Sequence, residues 1–167
     1  MAKTIYKLIE WIKPEDKEKI NEGEMNFFEA EDKYVKIIEV DDEHISLKKI
    51  RELIGNDCRM TDRLPGTGET IWVDDEGILK DEEGIMLNPI ATQEWQDSAS
   101  YHMGWEWLNN HYGGFVWYHS VAVGNAVQIV QGVWDIDDED YENGENKYIY
   151  NSINVSKEEY ENAIAEE

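Results

Sequence analysis

The sequence predicts an α+β fold with a mainly antiparallel sheet and a few short helices. Segments rich in β-branched and aromatic residues are separated by short segments of helical periodicity, and they lack the regular βαβ alternation of a parallel sheet. Hydrophobic residues make up 41% of the 167 residues and aromatic residues 11%. This is enough to bury a core despite a net charge of −23. We therefore expect residues 1–167 to fold as a single domain.

The first elements are two strands and a helix. Residues 4–12 alternate loosely and end before Pro14, which predicts a strand followed by a short polar turn or helix. Residues 34–40, YVKIIEV, predict a second strand. The sequence SLKKIRELIG predicts a helix, because its apolar residues fall at helical spacing, Ser46 is a good N-cap and Gly55 suits the C-terminal end.

After a loop at residues 64–68, two acidic turns recur seven residues apart. Their sequences are DDEGI from Asp74 and DEEGI from Asp81. Each turn separates short apolar stretches, TIWV, ILK and IML, as a hairpin turn does. The repeat therefore predicts two consecutive hairpin turns.

A helix is predicted to begin after Asn88, because asparagine is a good N-cap and Pro89 suits the first helical position. The sequence PIATQEW opens this helix. Residues 98–111 can continue as a helix until the glycines at 113–114 stop it.

The most β-rich part of the sequence is residues 115–134. Two runs flank the pair Gly124-Asn125, which is typical of a two-residue hairpin turn. We therefore expect a hairpin at the centre of the sheet. Residues 135–167 are predicted to be an acidic turn followed by a C-terminal helix, whose capping box is the sequence SKEE from Ser156.

Five stretches of the sequence occur in a recognisable order: YVKIIEV, IRELIGNDCRMTDRL, TIWVDDEGIL, LNPIATQEW and VAVGNAVQIV. In this order they resemble a small uncharacterised domain family common in phage and mobile-element proteins, over residues 34–132. The chain departs from the family in an aromatic-rich insertion at 95–118, and in Ile54-Gly55-Asn56 where the family has Val-Gly-Gly. The resemblance implies a fold and an origin, because the family carries no established activity.

The negative charge is concentrated in the later part of the chain. Residues 61–167 contain 23 acidic and four basic side chains, whereas residues 1–60 contain 15 acidic and 11 basic ones. Such a field repels nucleic acid and anionic membranes, and it attracts cations and basic protein surfaces. We therefore expect no direct binding to nucleic acid or membrane. The expected partner is a basic protein surface of the host, such as a nucleic-acid-binding cleft.

The cysteine content and the N-terminal sequence predict the compartment. Cys58 is the single cysteine, so an internal disulfide cannot form, and charged residues interrupt any signal-peptide core near the N-terminus. No apolar run approaches the ~18 residues that a membrane span requires. We expect a cytoplasmic protein, located in the host cytoplasm if it is phage-encoded.

No motif for catalysis or for metal or cofactor binding is recognisable. An EF-hand register from Asp135 places Asp140 where glycine is needed and Asn146 where glutamate is needed. The four histidines lack a zinc spacing and are expected to be half-buried packing residues. Residues 66–68 are predicted to form a turn rather than a phosphate-binding loop. We therefore expect a protein that is not an enzyme and uses no metal or cofactor.

Acidic runs and aromatic residues are the candidate partner-binding sites. Carboxylates in series can imitate the phosphates of a duplex. Two tryptophans two positions apart on a helix point to different faces, so one of them is expected to meet a partner. The candidate residues are Asp74, Asp75, Glu76, Asp81, Glu82, Glu83, Asp135, Asp137, Asp138, Glu139, Asp140, Trp105 and Trp107.

Three functions are compatible with these features. The favoured hypothesis is a phage or mobile-element protein that inhibits a host nucleic-acid-binding defence protein by nucleic-acid mimicry, as anti-restriction and anti-CRISPR proteins do. The second is a non-catalytic accessory or structural module that self-associates as a homodimer through the aromatic segment, with acidity serving solubility alone. The third is a small-molecule or nucleotide-binding protein that uses an aromatic pocket.

Overall fold

The central strand of the structure is Ala126–Trp134, most of whose residues are buried. Its sequence, AVQIVQGVW, is largely apolar and suits a strand that is covered on both faces. The structure is a computed structural model, and it describes residues 3–104, 106, 110, 122–135 and 147–166.

Strands and helices are numbered here in chain order within those described ranges. The strands are β1 (Thr4–Ile9), β2 (Val35–Val40), β3 (His44–Ile45), β4 (Thr61–Arg63), β5 (Ile71–Asp74), β6 (Leu87–Asn88), β7 (Ala122–Val123), β8 (Ala126–Trp134), β9 (Tyr148–Tyr150) and β10 (Ile153–Val155). The helices are α1 (Pro14–Asn21), α2 (Phe27–Tyr34), α3 (Leu47–Ile54), α4 (Gly77–Lys80), α5 (Pro89–Met103) and α6 (Lys157–Ala165).

Strand β8 has different neighbours along its two halves. Residues 126–128 lie between β1 and β5, and both pairings are antiparallel. Residues 131–133 pair with β9, while residues 133–134 pair in parallel with β3. Strand β2 extends the sheet beyond β1, and β10 extends it beyond β9. The predicted α+β class with a mainly antiparallel sheet is confirmed, and β8 occupies the predicted central position.

Helices cover both faces of this sheet. Helices α2 and α5 contribute Ala30 and Trp95 to one core cluster, together with Ile9 of β1. Helix α3 contributes Ile50 to the other cluster, where it meets Tyr6 of β1. Because side chains alternate across a strand, β1 supplies both cores. None of the helices in the described ranges is long and apolar enough to cross a membrane.

The predicted helix ends are confirmed where a cap determines them. The Ser46 hydroxyl accepts a hydrogen bond from the Lys49 N–H at 3.2 Å, and Gly55 ends α3 at a φ of 67°. The Asn88 side chain caps α5, and a complete capping box at Ser156 opens α6. These ends depend on neighbouring residues alone, so the local sequence was sufficient to predict them.

Both predicted hairpins at the acidic turns are wrong. Strand β5 pairs with β4 and β8, and residues 77–80 form the single turn α4 instead of a returning strand. Strand β6 pairs with β7. Strand β5 therefore gains its burial from the distant β8, because a three-residue stretch cannot provide it, and β6 pairs with the distant β7.

The predicted hairpin at Gly124-Asn125 is wrong for a similar reason. The Gly124 N–H donates to the Met86 carbonyl at 2.7 Å, and the Asn125 side chain donates to the Ile54 carbonyl at 3.1 Å. This turn therefore joins separate segments, and β7 leaves β8 to pair with β6.

The helix predicted to begin after Asn88 continues beyond its opening sequence, PIATQEW. Helix α5 runs without a break from Pro89 to Met103 and ends at Gly104, whose φ is 86°. The rest of the predicted 98–111 extension and the aromatic segment beyond it fall mainly outside the described residues.

Asp16 of α1 ties this helix to α2. Its buried carboxylate accepts a hydrogen bond from the Tyr34 hydroxyl and lies 2.7 Å from Lys33 Nζ. The hydrogen bond from Lys33, and then that from Tyr34, hold the pKa of Asp16 below its ordinary value of 3.8. A lowered carboxyl pKa means that the folded state favours the ionised form.

We expect Asp16 to make folding sensitive to acid. Its stabilising contribution is complete above the unfolded-state pKa and is lost as the pH falls through the lower folded-state pKa. The Asp16→Asn variant should be less stable at neutral pH and should lose less stability on acidification, as measured by urea unfolding at a series of pH values. Asp32→Asn, at an exposed position of α2, is the control. A wild-type acid profile in Asp16→Asn would contradict this role.

Candidate protein-binding surface

The predicted acidic residues at positions 74–83 differ in their exposure to solvent. Asp75, Glu82 and Glu83 are exposed, Glu76 and Asp81 are half-buried, and Asp74 is buried. The turn at 74–76 follows strand β5, and the turn at 81–84 follows α4. Two runs that look alike in the sequence therefore contribute unequally to the surface.

Asp74 has a structural role and is not available to a partner. Its carboxylate lies 2.7 Å from Lys80 Nζ and accepts a hydrogen bond from the Glu76 N–H at 2.9 Å. The hydrogen bond to Asp74 raises the pKa of Lys80. The prediction that Asp74 lies in an exposed partner-binding run is therefore wrong, because Lys80 neutralises it inside the turn.

Asp81 also organises the backbone. Its two carboxylate oxygens accept hydrogen bonds from the Ile85 and Met86 N–H groups, at 2.9 and 3.1 Å. Lys17 donates to the Ile85 carbonyl at 2.8 Å, and burial lowers the pKa of Lys17 while Asp81 opposes that shift. Asp81 therefore fixes the loop that presents its neighbours Glu82 and Glu83.

Two aliphatic side chains are exposed between the acidic turns. Ile78 and Leu79 of α4 are each 77% exposed. Helix α4 is held against the protein through Gly77, where an added Cβ would lie 3.0 Å from the Val123 carbonyl oxygen. The opposite side of this one-turn helix therefore carries Ile78 and Leu79 into solvent.

We name the exposed residues of this region, together with the half-buried Glu76, the loop surface. It consists of Asp75, Glu76, Ile78, Leu79, Glu82 and Glu83. Two lysines beside these turns are engaged, because Lys80 binds Asp74 and two backbone carbonyls and Lys17 binds the Ile85 carbonyl. The surface thus combines carboxylates with an apolar centre.

A second concentration of acids lies at the far end of β8. We name it the acidic end, and it consists of Asp41, Asp42, Glu43, Asp135 and Glu161. Glu43, Asp135 and Glu161 line one cleft of about 460 Å³. The Val133 N–H donates to the Glu43 carbonyl at 3.1 Å, which brings the chain after β2 beside the end of β8.

The loop surface and the acidic end are well separated. Val73 pairs with Ala126 at one end of β8, and Asp135 follows the other end. A strand rises about 3.3 Å per residue, so about 30 Å of strand separates the two regions. Among the described residues, the predicted acids at 74–83 and Asp135 therefore do not form one continuous patch.

The sequence prediction missed several members of these surfaces. Asp41, Asp42 and Glu43 lie in the part of the chain whose net charge is small, and only the sheet brings them to Asp135. Ile78 and Leu79 were assigned to a hairpin strand. The sequence did contain a signal for their exposure. Ile78 and Leu79 lie between two acidic turns that each contain a glycine, and this pattern could have predicted an exposed loop.

The remaining candidates fall outside the described residues. They are Asp137, Asp138, Glu139, Asp140, Trp105 and Trp107. Among the residues that the structure does describe, no group of three or more His, Cys, Asp or Glu side chains is placed to hold a metal ion.

The chain was compared with known protein families, curated proteins and solved structures. No family model, no curated protein and no solved structure matches the chain.

Proposed function

We propose that this protein binds a basic surface of another protein through the loop surface. The observation that carries the proposal is the pair Ile78 and Leu79, each 77% exposed, between turns that present the carboxylates of Asp75, Glu82 and Glu83. Exposed aliphatic side chains enclosed by charge are the arrangement of an interface, with an apolar centre and a polar rim.

Charge and apolar contact have different roles in this binding. The net charge of −23 accelerates the approach of a basic partner and makes association sensitive to salt. Ile78 and Leu79 supply burial that salt does not screen, so they are expected to slow dissociation. In this proposal they provide the apolar contact that the sequence predicts at Trp105 or Trp107.

We further propose that the partner is a nucleic-acid-binding protein, and that this chain competes with nucleic acid for its cationic cleft. A duplex carries one charge per ~1.7 Å of its axis, and a cleft built for phosphates also attracts carboxylates. The acidic end supports this partner class, because it supplies a second negative contact about 30 Å away. For a chain of the phage or mobile-element origin predicted from its sequence, the expected target is a host defence protein.

A capture experiment with matched variants tests the proposal. The immobilised protein is exposed to bacterial lysate at low and high salt, and a captured basic protein is purified and titrated with wild-type protein and with duplex DNA as competitor. We expect Ile78→Ser with Leu79→Ser to weaken binding at least about tenfold, since two buried aliphatic side chains are lost. The quadruple variant Asp75→Asn, Glu76→Gln, Glu82→Gln and Glu83→Gln should mainly slow association and reduce its salt dependence.

Four exposed carboxylates elsewhere provide the control for net charge. Glu18, Glu22, Glu24 and Asp32 are exposed on or near α1 and α2, and their amide variants change the net charge by the same amount. Equal effects of the two quadruple variants would show that overall charge, and not the loop surface, determines binding. Failure of duplex DNA to compete would contradict nucleic-acid mimicry. A change of sedimentation coefficient in the Ile78/Leu79 variant alone would indicate self-association instead.

A further inference from the structure

A pocket of about 360 Å³ lies between the end of α5 and the loop that follows β4. Residues 63–66 and 68–69 form one wall, His102 and Met103 form another, and Asn154 of β10 closes it. None of the residues that line this pocket belongs to the loop surface or to the acidic end. Two of its polar side chains have a buried atom without a hydrogen-bond partner.

His102 contributes a hydrogen-bond acceptor. Its Nδ1 lies 2.8 Å from the Ser98 carbonyl oxygen, and a carbonyl only accepts, so Nδ1 carries the proton in the neutral ring. The acceptor is then Nε2. Within the described residues this atom is buried and has no hydrogen-bond partner.

Asn154 contributes a second acceptor. Its Nδ2 donates to the Gly68 carbonyl at 2.9 Å, which identifies Oδ1 as the free acceptor. Oδ1 is likewise buried without a partner among the described residues. The two side chains converge on Gly68, where an added Cβ would lie 2.0 Å from Asn154 Nδ2 and 3.1 Å from His102 Nε2.

The loop beside these acceptors is held in a fixed, unfavourable conformation. Glu69 has a φ of 61°, a left-handed conformation that is costly for a residue other than glycine. Buried hydrogen bonds from the Thr67 and Thr70 hydroxyls to the Leu64 and Thr67 carbonyls hold the loop. Trp95 of α5 adds a third, to the Pro65 carbonyl at 2.9 Å. The loop therefore forms a fixed wall of the pocket.

Two acceptors without a protein partner suit a ligand that donates hydrogen bonds. Each buried acceptor without a partner costs the folded protein stability, and an ammonium group carries three N–H donors. The Arg63 guanidinium in the wall is paired with Glu69 at 2.9 Å, and the net charge of −23 favours a cation. These properties select a primary ammonium group over an anion.

We propose that this pocket binds a small molecule that carries a primary amino group, which donates hydrogen bonds to His102 Nε2 and Asn154 Oδ1. The amino group reaches the two atoms when the Asn154 side chain turns away from Gly68, to which one hydrogen bond holds it. The rest of the ligand lies in the open part of the pocket, against Met103.

Titration with two matched cations tests the proposal. The protein, labelled with ¹⁵N in its imidazole rings, is titrated with butylammonium and separately with butyltrimethylammonium, at a pH where its ¹⁵N spectrum shows neutral imidazole rings. Both ions carry the same charge and chain, but the second has no N–H donor. We expect a saturable shift of the His102 Nε2 resonance and of the Asn154 side-chain amide resonances with butylammonium alone. His44 of β3 serves as the reference ring.

Variants confirm the location of the site. His102→Phe keeps a ring and removes the acceptor, and it should weaken butylammonium binding about tenfold or more, because a hydrogen bond to a charged group is lost. His44→Phe should leave the affinity unchanged. Equal responses to both cations would overturn the proposal, since they would show attraction by surface charge alone. No response of His102 to either cation would also overturn it, and this result does not depend on whether His102→Phe folds.

Discussion

The Asn88→Ala variant is expected to unfold with a free energy about 3 kcal/mol lower than that of the wild type. Asn88 is completely buried and bonds to three separate segments. Its Nδ2 donates to the Ile9 carbonyl at 2.9 Å and to the Gly124 carbonyl at 2.8 Å, and its Oδ1 accepts from the Ala91 N–H at 3.0 Å. Alanine removes the cap of α5 and leaves two buried carbonyls without this donor. Urea unfolding measures the difference.

Two further substitutions distinguish the role of Asn88 as the cap of α5 from its hydrogen bonds to the Ile9 and Gly124 carbonyls. Asn88→Asp retains a good cap but loses both N–H donors and places a carboxylate beside two carbonyl oxygens, so it should be at least as destabilising as Asn88→Ala. Ser46→Ala removes the half-buried cap of α3 and should cost only about 1 kcal/mol. Near-wild-type stability of Asn88→Asp would show that Asn88 acts as an ordinary cap and nothing more.

The Ile129→Ala variant is expected to lose about 3 to 4 kcal/mol of stability, because it leaves a cavity in a fully buried position. Ile129 is 0% exposed and lies in the middle of β8, opposite Tyr6 of β1. Tightly packed neighbours from α3 and β9 limit how far the site can collapse. Thermal or urea unfolding checks the value.

Ile37→Ala is the matched control for this substitution. Ile37 lies on β2, pairs with Lys7 and is 59% exposed, so the same change should alter stability by about 0.5 kcal/mol or less. Similar losses in the two variants would contradict the assignment of β8 to the centre of the core.

Local features of the fold could be predicted from the sequence, whereas strand partners could not. Ser46 and Gly55 delimit α3 through hydrogen bonds and a backbone conformation that involve only their neighbours. The partners of β5 are β4 and residues 126–128, and the latter lie more than fifty positions away. Asn88 shows both cases, since its cap was predicted and its links to Ile9 and Gly124 were not.

The candidate surface was predictable only in outline. Total charge and the acidic turns are properties of composition and order, and they directed attention to residues 74–83. Asp74 and Asp75 are adjacent and chemically identical, yet Lys80 reaches only the first. The gathering of Asp41, Asp42 and Glu43 beside Asp135 depends on the sheet, so no pattern within one segment could indicate it.

The position of β8 in the chain has a consequence for biosynthesis. A nascent polypeptide emerges from its N-terminus, and β1 and β5 appear long before residues 126–134, which both of them require as a partner. Until then, the unpaired backbone N–H and C=O groups along the edges of these strands remain open to other chains. We expect slow maturation and a dependence on chaperones during translation, because distant pairings raise contact order and leave incomplete intermediates prone to aggregation.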